Sequence, residues 1–312
     1  MQQNPFVSVI MGVYNQRDEE VLHAAVDSIL HQSYRDFEFI IWDDGSDEKA
    51  AAMLKELEGT DERIVLAGKE ENRGLAFSLN ECIRLAKGKY IARMDADDIS
   101  LPERFEKQLA FLEKHTEYGW CGTAADLFDG EGIWGYRPMP EEPKEKDFYY
   151  YSPYIHPSVM FRAEIFDEDR GYLETEETLR CEDYEIFMHL TQRGLKGYNL
   201  PEKLFQYRET RDSYRKRKFC FRINEAKTRY RNYKDMGLLF PFGWAFVLRP
   251  LIGGMLPAPV IGMVKRLEGR IRMVRAEEKA DEQRNSVQET YPILQEYSQR
   301  STTVPCSPGR VS

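Results

Sequence analysis

Along the first hundred residues, short apolar runs alternate with amphipathic stretches. Residues 6–13 are β-branched and apolar, stop at Tyr14-Asn15, and predict a buried strand. Residues 19–32 place Val21, Leu22, Ala25, Ile29 and Leu30 on one helical face. Further strands are expected over residues 37–42, 63–67 and 90–94, with helices over 48–57 and 75–86 between them. This alternation implies an α/β fold with a parallel sheet covered on both faces. In such sheets ligands bind beyond the carboxyl ends of the strands, here the loops at residues 43–47 and 95–98.

Beyond Leu101-Pro102 the pattern predicts a helix over 103–113 and a strand over 120–128. Residues 130–154, rich in Pro, Gly and Tyr, read as irregular. A strand over 158–162 and a last one over 203–207 enclose a helix over 183–192, with Ile186, Phe187 and Leu190 inward. The character then changes. Residues 203–236 carry 12 Lys or Arg against 4 Asp or Glu. Residues 238–264 are almost wholly apolar, broken by Arg249, Pro241, Pro250, Pro257 and Pro259, and Lys265, Arg266, Arg270, Arg272 and Arg275 follow. The run has the length of a membrane span, about 20 residues, but its prolines and central arginine oppose one straight helix. Short helices lying in a membrane interface fit better, and a helical subdomain packed on the core is the alternative. The expected organisation is an α/β domain over 1–210, in two parts of about 1–98 and 99–210, a basic and apolar helical membrane-associating region over 211–276, and a polar, flexible tail over 277–312.

Composition narrows the classes. The 312 residues are 42% apolar and 12% aromatic, enough for a sizeable core. A formal charge of −9 opposes a dedicated nucleic-acid binder. The five cysteines form no C-x-x-C pair, which opposes a zinc site and fits a reducing cytosol. The N-terminus lacks the basic flank and apolar stretch of a secretory signal, so none is expected.

Two acidic clusters fall where strands should end: Asp43-Asp44, and Asp95, Asp97 and Asp98 in Met-Asp-Ala-Asp-Asp. An Asp-x-Asp turn can aim two carboxylates the same way, which suits a hard divalent cation carrying phosphate oxygens. A lone pair of this kind is as often a solvated turn, but two clusters on one side of a sheet weaken that reading. The G-x-G-x-x-G and G-x-x-x-x-G-K-[ST] loops are absent. An aspartyl-phosphate chemistry at Asp95 fits the long preceding sheet poorly. A metal-bound diphosphate remains the best client.

These motifs resemble the family-two glycosyltransferases, mostly inverting enzymes that share the nucleotide-diphospho-sugar transferase (GT-A) fold. The likeness is carried by Val7-Ser-Val-Ile-Met-Gly-Val-Tyr-Asn15, Ser28-Ile-Leu-His-Gln-Ser-Tyr34, Phe37-Glu-Phe-Ile-Ile-Trp-Asp-Asp-Gly-Ser-Asp47 and Asn72-Arg-Gly-Leu75. It continues through Gly88-Lys-Tyr-Ile-Ala-Arg-Met-Asp-Ala-Asp-Asp98, His156-Pro-Ser-Val-Met-Phe-Arg162 and Cys181-Glu-Asp-Tyr-Glu185. Each is weak alone, and in this order over some 210 residues they are specific. The resemblance implies a GT-A Rossmann-like mixed sheet flanked by helices, a catalytic domain over 1–210 with its nucleotide half over about 1–98 and its acceptor half over about 99–210, and a C-terminal helical extension. It places Val13, Tyr14, Asn15 and Asp44 at the nucleotide base, Arg73 near the nucleotide, Asp95 at the ribose or sugar, and Asp97 on the metal. Asp43 is easily confused with Asp44, and it and Ser46 are alternatives as caps of the next helix. Asp98 fits a supporting place beside the metal.

Inversion needs a base that takes the acceptor proton, and the family's Glu-Asp pair matches Glu182-Asp183, with Asp183 as that base. Helix capping is the competing role for both. His156 matches a position near the acceptor, with a hydrogen-bonded structural histidine as the alternative. The implied activity is transfer from a nucleotide-diphospho-sugar, UDP-linked by expectation, to a glycan or lipid-linked acceptor, with Mg²⁺ or Mn²⁺. The expected setting is the cytoplasm, peripheral on the inner face of the cell membrane, at an anionic surface and away from nucleic acid. Rival readings are a metal-dependent nucleotidyl- or phosphotransferase and a non-catalytic nucleotide-binding scaffold.

Overall fold

Alternate residues of the first strand, β1 (Val7–Val13), enter two different cores. Val7, Val9, Met11 and Val13 pack with one cluster and Ile10 with the other, as the two-residue period of a strand dictates. The next strand, β2 (Phe37–Asp44), divides likewise, with Phe39 and Ile41 on one side and Ile40 and Trp42 on the other. The computed structural model describes residues 5–167, 171–210, 219–255 and 257–290.

Both cores are closed by helices. The first is covered by α1 (Glu19–Leu30), α2 (Glu48–Leu57) and α4 (Arg104–Lys114), through residues such as Leu22, Ile29, Leu54, Phe105 and Leu109. The second is covered by α3 (Leu75–Leu85), α6 (Glu182–Gln192) and α7 (Phe219–Asp235), through Phe77, Cys82, Phe187, Leu190 and Tyr233. A short helix, α5 (Glu164–Asp167), lies between α4 and α6 in the chain.

The remaining strands are β3 (Ile64–Lys69), β4 (Tyr90–Arg93), β5 (Ile99–Ser100), β6 (Trp120–Phe128), β7 (Ile133–Arg137), β8 (Met160–Arg162) and β9 (Gly197–Arg208). The sheet has nine strands in the order β3-β2-β1-β4-β8-β6-β9-β5, with β7 paired to β6. β1 to β4 are mutually parallel, and β8 runs antiparallel to both β4 and β6. The sheet is therefore mixed, in the manner of the GT-A fold.

Residues 130–154 are not wholly irregular. β7 and a 3₁₀ turn over Glu145–Tyr149 lie within them. Composition hid β7, because an edge strand that contains Gly135 and follows two positive-φ glycines reads locally as a loop. β9 begins earlier than expected because irregular register opposite Thr123 and Ala124 lets it continue past Pro201.

At the C-terminal end α8 (Gly243–Gly254) and α9 (Ala258–Thr290) follow α7. Among the described residues no single helix is long and apolar enough to cross a membrane, and Gly243–Gly254 meets Pro259–Glu278 at a bend of 118°. Residues 211–218, Leu256 and 291–312 of the expected basic region and tail lie outside the described residues, whereas 277–290 continue α9.

Candidate active site

The loops after β1 and β2 are tied to one another. Asn15, at φ 51°, donates its N–H to Ser46 Oγ at 3.0 Å, and its Oδ1 accepts from the Asp47 N–H at 2.8 Å. Arg17 pairs with Asp47. Gly45 has φ +73°, and a Cβ there would meet the Glu70 carbonyl oxygen at 2.6 Å, so only glycine fits this turn. Val13 is buried, while Tyr14 is 54% exposed at the mouth of the loop.

Asp43 and Asp44 part company at the end of β2. The Asp44 carboxylate, 2% exposed, accepts from the Arg73 N–H at 3.0 Å, the Gly74 N–H at 2.7 Å and Asn72 Nδ2 at 2.9 Å. Burial pushes its pKa up, and the backbone donors of Arg73 and Gly74 work against that rise. Both oxygens are committed to holding the loop before α3. Three of the roughly four acceptor positions of the Asp44 carboxylate are thus used inward. Asp43 is less buried, and its Oδ1 accepts from the Ser46 N–H at 2.9 Å. Neither Asp43 nor Ser46 caps α2: the cap is Asp47, whose Oδ1 accepts from the Ala50 N–H at 3.1 Å. The Arg73 guanidinium lies 3.8 Å from the Phe77 ring centroid and 3.7 Å from Glu174 Oε2.

Beyond β4 the carboxylates of Asp95, Asp97 and Asp98 offer oxygens within 4.8 Å of one another. Asp98 is 1% exposed; its Oδ1 accepts from the Arg208 N–H at 2.7 Å, while Oδ2 is buried without a hydrogen-bond partner among the described residues. Burial raises the Asp98 pKa well above its usual range, and Asp97 and Asp95 add to the rise. Arg208 Nε also donates to the Asp97 carbonyl at 2.8 Å. Three crowded carboxylates with one orphaned buried oxygen fit a divalent cation, whose charge would relieve the crowding.

The residues that sequence reasoning missed are the buried cations behind this loop. The Arg93 side chain is 1% exposed, and its Nη1 stands 2.6 Å from Asp95 Oδ1. Burial works against its charge, and Asp95 more than restores it. Arg104, fully buried, donates to the Pro157 carbonyl at 2.9 Å and the Arg93 carbonyl at 3.2 Å; burial lowers its pKa to about 9. One signal was available: Arg93 interrupts the apolar run from Tyr90 to Met94, and a strand buried on both faces has no solvent to offer a guanidinium.

The charge of Arg93 also reaches residues well beyond this loop in the sequence. It bears on His156, Tyr172 and Glu182, while Tyr172 in turn feels Asp183, Glu182 and Asp95. His156 is buried, with Nε2 2.7 Å from the Tyr172 hydroxyl, and burial, then Arg93, hold its pKa well below the usual value. It is therefore a neutral, hydrogen-bonded histidine. Glu182 and Asp183 open α6, whose N-cap is Cys181, so neither is the cap. Glu182 Oε2 is buried without a hydrogen-bond partner among the described residues, and burial, then Asp183, push its pKa up to about 7. The loop after β4 and the start of α6, far apart in sequence, thus belong to one electrostatic neighbourhood.

With this geometry the chain can be set beside known proteins. Residues 8–169 match the model of Glycosyl transferase family 2. EpsE of Bacillus subtilis (strain 168), a glycosyltransferase by name, is 37% identical over 262 residues, covering 84% of this chain and 93% of that protein. The O-antigen biosynthesis glycosyltransferase WbnJ of Escherichia coli is 32% identical, over 65% of this chain and 79% of that protein. Among solved structures, S. aureus TarS 1-349 in complex with UDP-GlcNAc superposes with TM-score 0.57 at 16% identity, over 80% of this chain and 71% of that one. The mannosyltransferase PcManGT from Pyrobaculum calidifontis, in complex with GDP-Man and Mn²⁺, gives 0.55 at 16% identity, over 93% and 88%. These two likenesses bear on the fold. A domain-length family match, a relative aligned almost end to end and carboxylates gathered at the ligand side of the sheet lead to one conclusion: the chain belongs to glycosyl transferase family 2 and is a glycosyltransferase.

Proposed function

We propose that the protein is an inverting, metal-assisted glycosyltransferase that moves a sugar from a nucleotide-diphospho-sugar onto a glycan or lipid-linked glycan. The observation that carries this reading is the cluster of Asp95, Asp97 and Asp98 carboxylates beyond β4, with the Glu182–Asp183 helix start lying in the same electrostatic field of Arg93 and Tyr172. Donor-side and acceptor-side carboxylates within one electrostatic neighbourhood suit an in-line displacement.

In this reading Asp97 holds Mg²⁺ or Mn²⁺, with Asp95 turned to the ribose or sugar and Asp98 bracing the loop through Arg208. The cation supplies neutralisation of the charge that develops on the leaving diphosphate. Asp183 takes the proton of the acceptor hydroxyl as the new bond to the anomeric carbon forms and the bond to the diphosphate breaks. Val13, Tyr14 and Asn15 border the base, with Arg73 beside the nucleotide. Asp44, held at the end of β2 by the Arg73 and Gly74 N–H groups, accepts the imide N–H of uracil, with its less buried neighbour Asp43 as the alternative. A neutral His156 supports Tyr172 rather than moving protons. A UDP-linked donor is the first choice, supported by the UDP-GlcNAc complex of a protein with this fold, and GDP-Man with Mn²⁺ in another keeps guanine donors in the test. Relatives named for O-antigen and amylovoran biosynthesis support a cell-surface polysaccharide pathway, and a setting on the inner face of the membrane is part of the same proposal.

The test is turnover of a panel of UDP- and GDP-sugars with Mn²⁺, read as release of nucleoside diphosphate. Asp97→Ala should lose Mn²⁺-supported nucleotide binding. Asp183→Asn should keep that binding and lose about 10²-fold or more in turnover. Pyrophosphate as product, wild-type UDP affinity in Asp97→Ala or near-normal rates in Asp183→Asn would each defeat the assignment it probes.

A further inference from the structure

α9 is fastened to the catalytic domain along one side. A Cβ on Gly135 of β7 would meet the Gly269 backbone at 3.1 Å, so helix and strand touch main chain to main chain. Lys265 Nζ lies 3.1 Å from Glu209 Oε1, Arg266 Nη2 lies 2.5 Å from Asp129 Oδ2, and the Arg266 guanidinium sits 4.9 Å over the Trp134 ring. Two of the cations that follow the apolar run are therefore spent inward.

The opposite side of the same helix is apolar and uncovered. Val260, Val264, Leu267, Ile271 and Val274 recur alternately at four and three residues and are 40%, 48%, 60%, 42% and 48% exposed, with Met263 beside them at 67%. At 3.6 residues per turn they fill a sector of roughly 100°, facing away from Gly269. Arg270 borders this sector on one side and Arg275, Glu268 and Arg272 on the other, all exposed, with Arg272 3.9 Å from Glu268 so that Arg270 and Arg275 carry the free positive charge of the two edges. Trp244, Leu248, Ile252 and Met255 give α8 a second uncovered apolar side, at 43%, 49%, 65% and 77% exposure.

An apolar stripe edged with arginines is the arrangement of a helix lying in a lipid interface, apolar side in the acyl boundary and guanidinium groups at the phosphates. A second copy of the chain fits less well. In a parallel pair of α9 helices Arg270 of one copy would face Arg275 of the other, like charge against like. We propose that this outward side of α9 is the seat of the protein on an anionic lipid surface. The proposal rests on the inner-face setting above and names the residues that make it. It also fixes what the seat is joined to. Lys265 holds Glu209, and the preceding residue, Arg208, holds Asp98 of the acidic loop. The reaction centre is thereby carried next to the surface where a lipid-linked acceptor would lie.

The experiment is co-sedimentation of the full chain with vesicles of equal parts phosphatidylcholine and phosphatidylglycerol, and with phosphatidylcholine alone. The wild type should pellet with the mixed vesicles and only partly come off in high salt. Leu267→Glu with Ile271→Glu should lower the bound fraction at least roughly tenfold. Arg270→Glu with Arg275→Glu should remove the salt-sensitive part, and Leu85→Glu, an exposed site on α3, should change nothing. UDP binding with Mn²⁺, measured on the same samples, should be untouched in all of them. Its absence in the wild type would count against the donor assignment and leave the seat standing. Wild-type protein that stays in the supernatant overturns the seat. So does a Leu267→Glu, Ile271→Glu variant that pellets normally, or one whose only change is a dimer turned monomer in sedimentation velocity.

Discussion

The catalytic sheet and the C-terminal helices break the usual rule of burial in opposite directions. In the sheet domain, charge is hidden: Arg93, Arg104 and Asp98 are each no more than 1% exposed. In α8 and α9, apolar side chains such as Ile252, Met255 and Leu267 stand 65%, 77% and 60% exposed. Packing alone favours neither, since a buried charge costs desolvation and an exposed apolar stripe forgoes burial. Such departures mark where a structure answers to something besides its own stability. By the two proposals above, in the sheet that is the chemistry of carboxylates and phosphate, and at the C-terminal end it is a surface outside the chain.

The largest effect expected from this contrast is on stability. Arg93→Met would leave Asp95, 29% exposed, facing other carboxylates without its buried counter-charge; breaking a fully buried pair costs about 3–5 kcal/mol, and the partial exposure of Asp95 sets this loss at the lower end of that range. Leu267→Ala on α9 should stay within about 0.5 kcal/mol, because little burial is lost. Urea unfolding of both variants measures the difference. Equal losses would mean that the Leu267 side chain is covered in solution, and the contrast between the two regions would fall.

Much of the sheet domain was legible in the sequence, because period-two strands and period-3.6 helices carry their own signatures. Helix α2 and strand β6 fall where the pattern puts them. β7 was illegible because an edge strand needs no apolar run, and β5 because two residues carry no period. At the site, the acidic motifs announced themselves. Which of Asp43 and Asp44 turns inward did not, since it is decided by N–H groups of Arg73 and Gly74 some 30 residues away. The joining of the two acidic centres through Arg93 and Tyr172 was equally out of reach, because Tyr172 enters only by the fold.

A middle-sized effect concerns pH. Burial, then Asp183, raise Glu182 from 4.5 to about 7, so the folded chain holds this proton more tightly than the unfolded one. A raised pKa contributes stability that is fully present below about pH 4.5 and is lost as pH rises through about 7. Glu182→Gln carries no such proton. Relative to that variant, the wild type should therefore lose about 1–3 kcal/mol between mildly acid and mildly alkaline solution. Unfolding free energies of both proteins at the two pH values supply the check. A difference that does not change with pH would show that Glu182 reaches water and that this buried charge is no exception to the rule.

The smallest effect is the reference for the others, an ion pair on the sheet domain that is neither hidden nor near the cleft. Asp61 lies 2.7 Å from Arg63, with the two side chains 23% and 20% exposed. Hydrogen bonding from Arg63, opposed by some burial, lowers Asp61 from 3.8 to about 2. Here the sign is reversed: a depressed pKa contributes stability present above about pH 3.8 and lost as pH falls through about 2. Taken at face value the shift is worth more than 2 kcal/mol, but water and salt screen so open a pair to below about 1 kcal/mol. Asp61→Asn should cost that much at neutral pH, less in strong salt, and almost nothing near the acid limit. A loss at neutral pH rivalling that of Arg93→Met would mean that hiding a charge in this protein carries no special weight, and the contrast drawn from Arg93 would have to be abandoned.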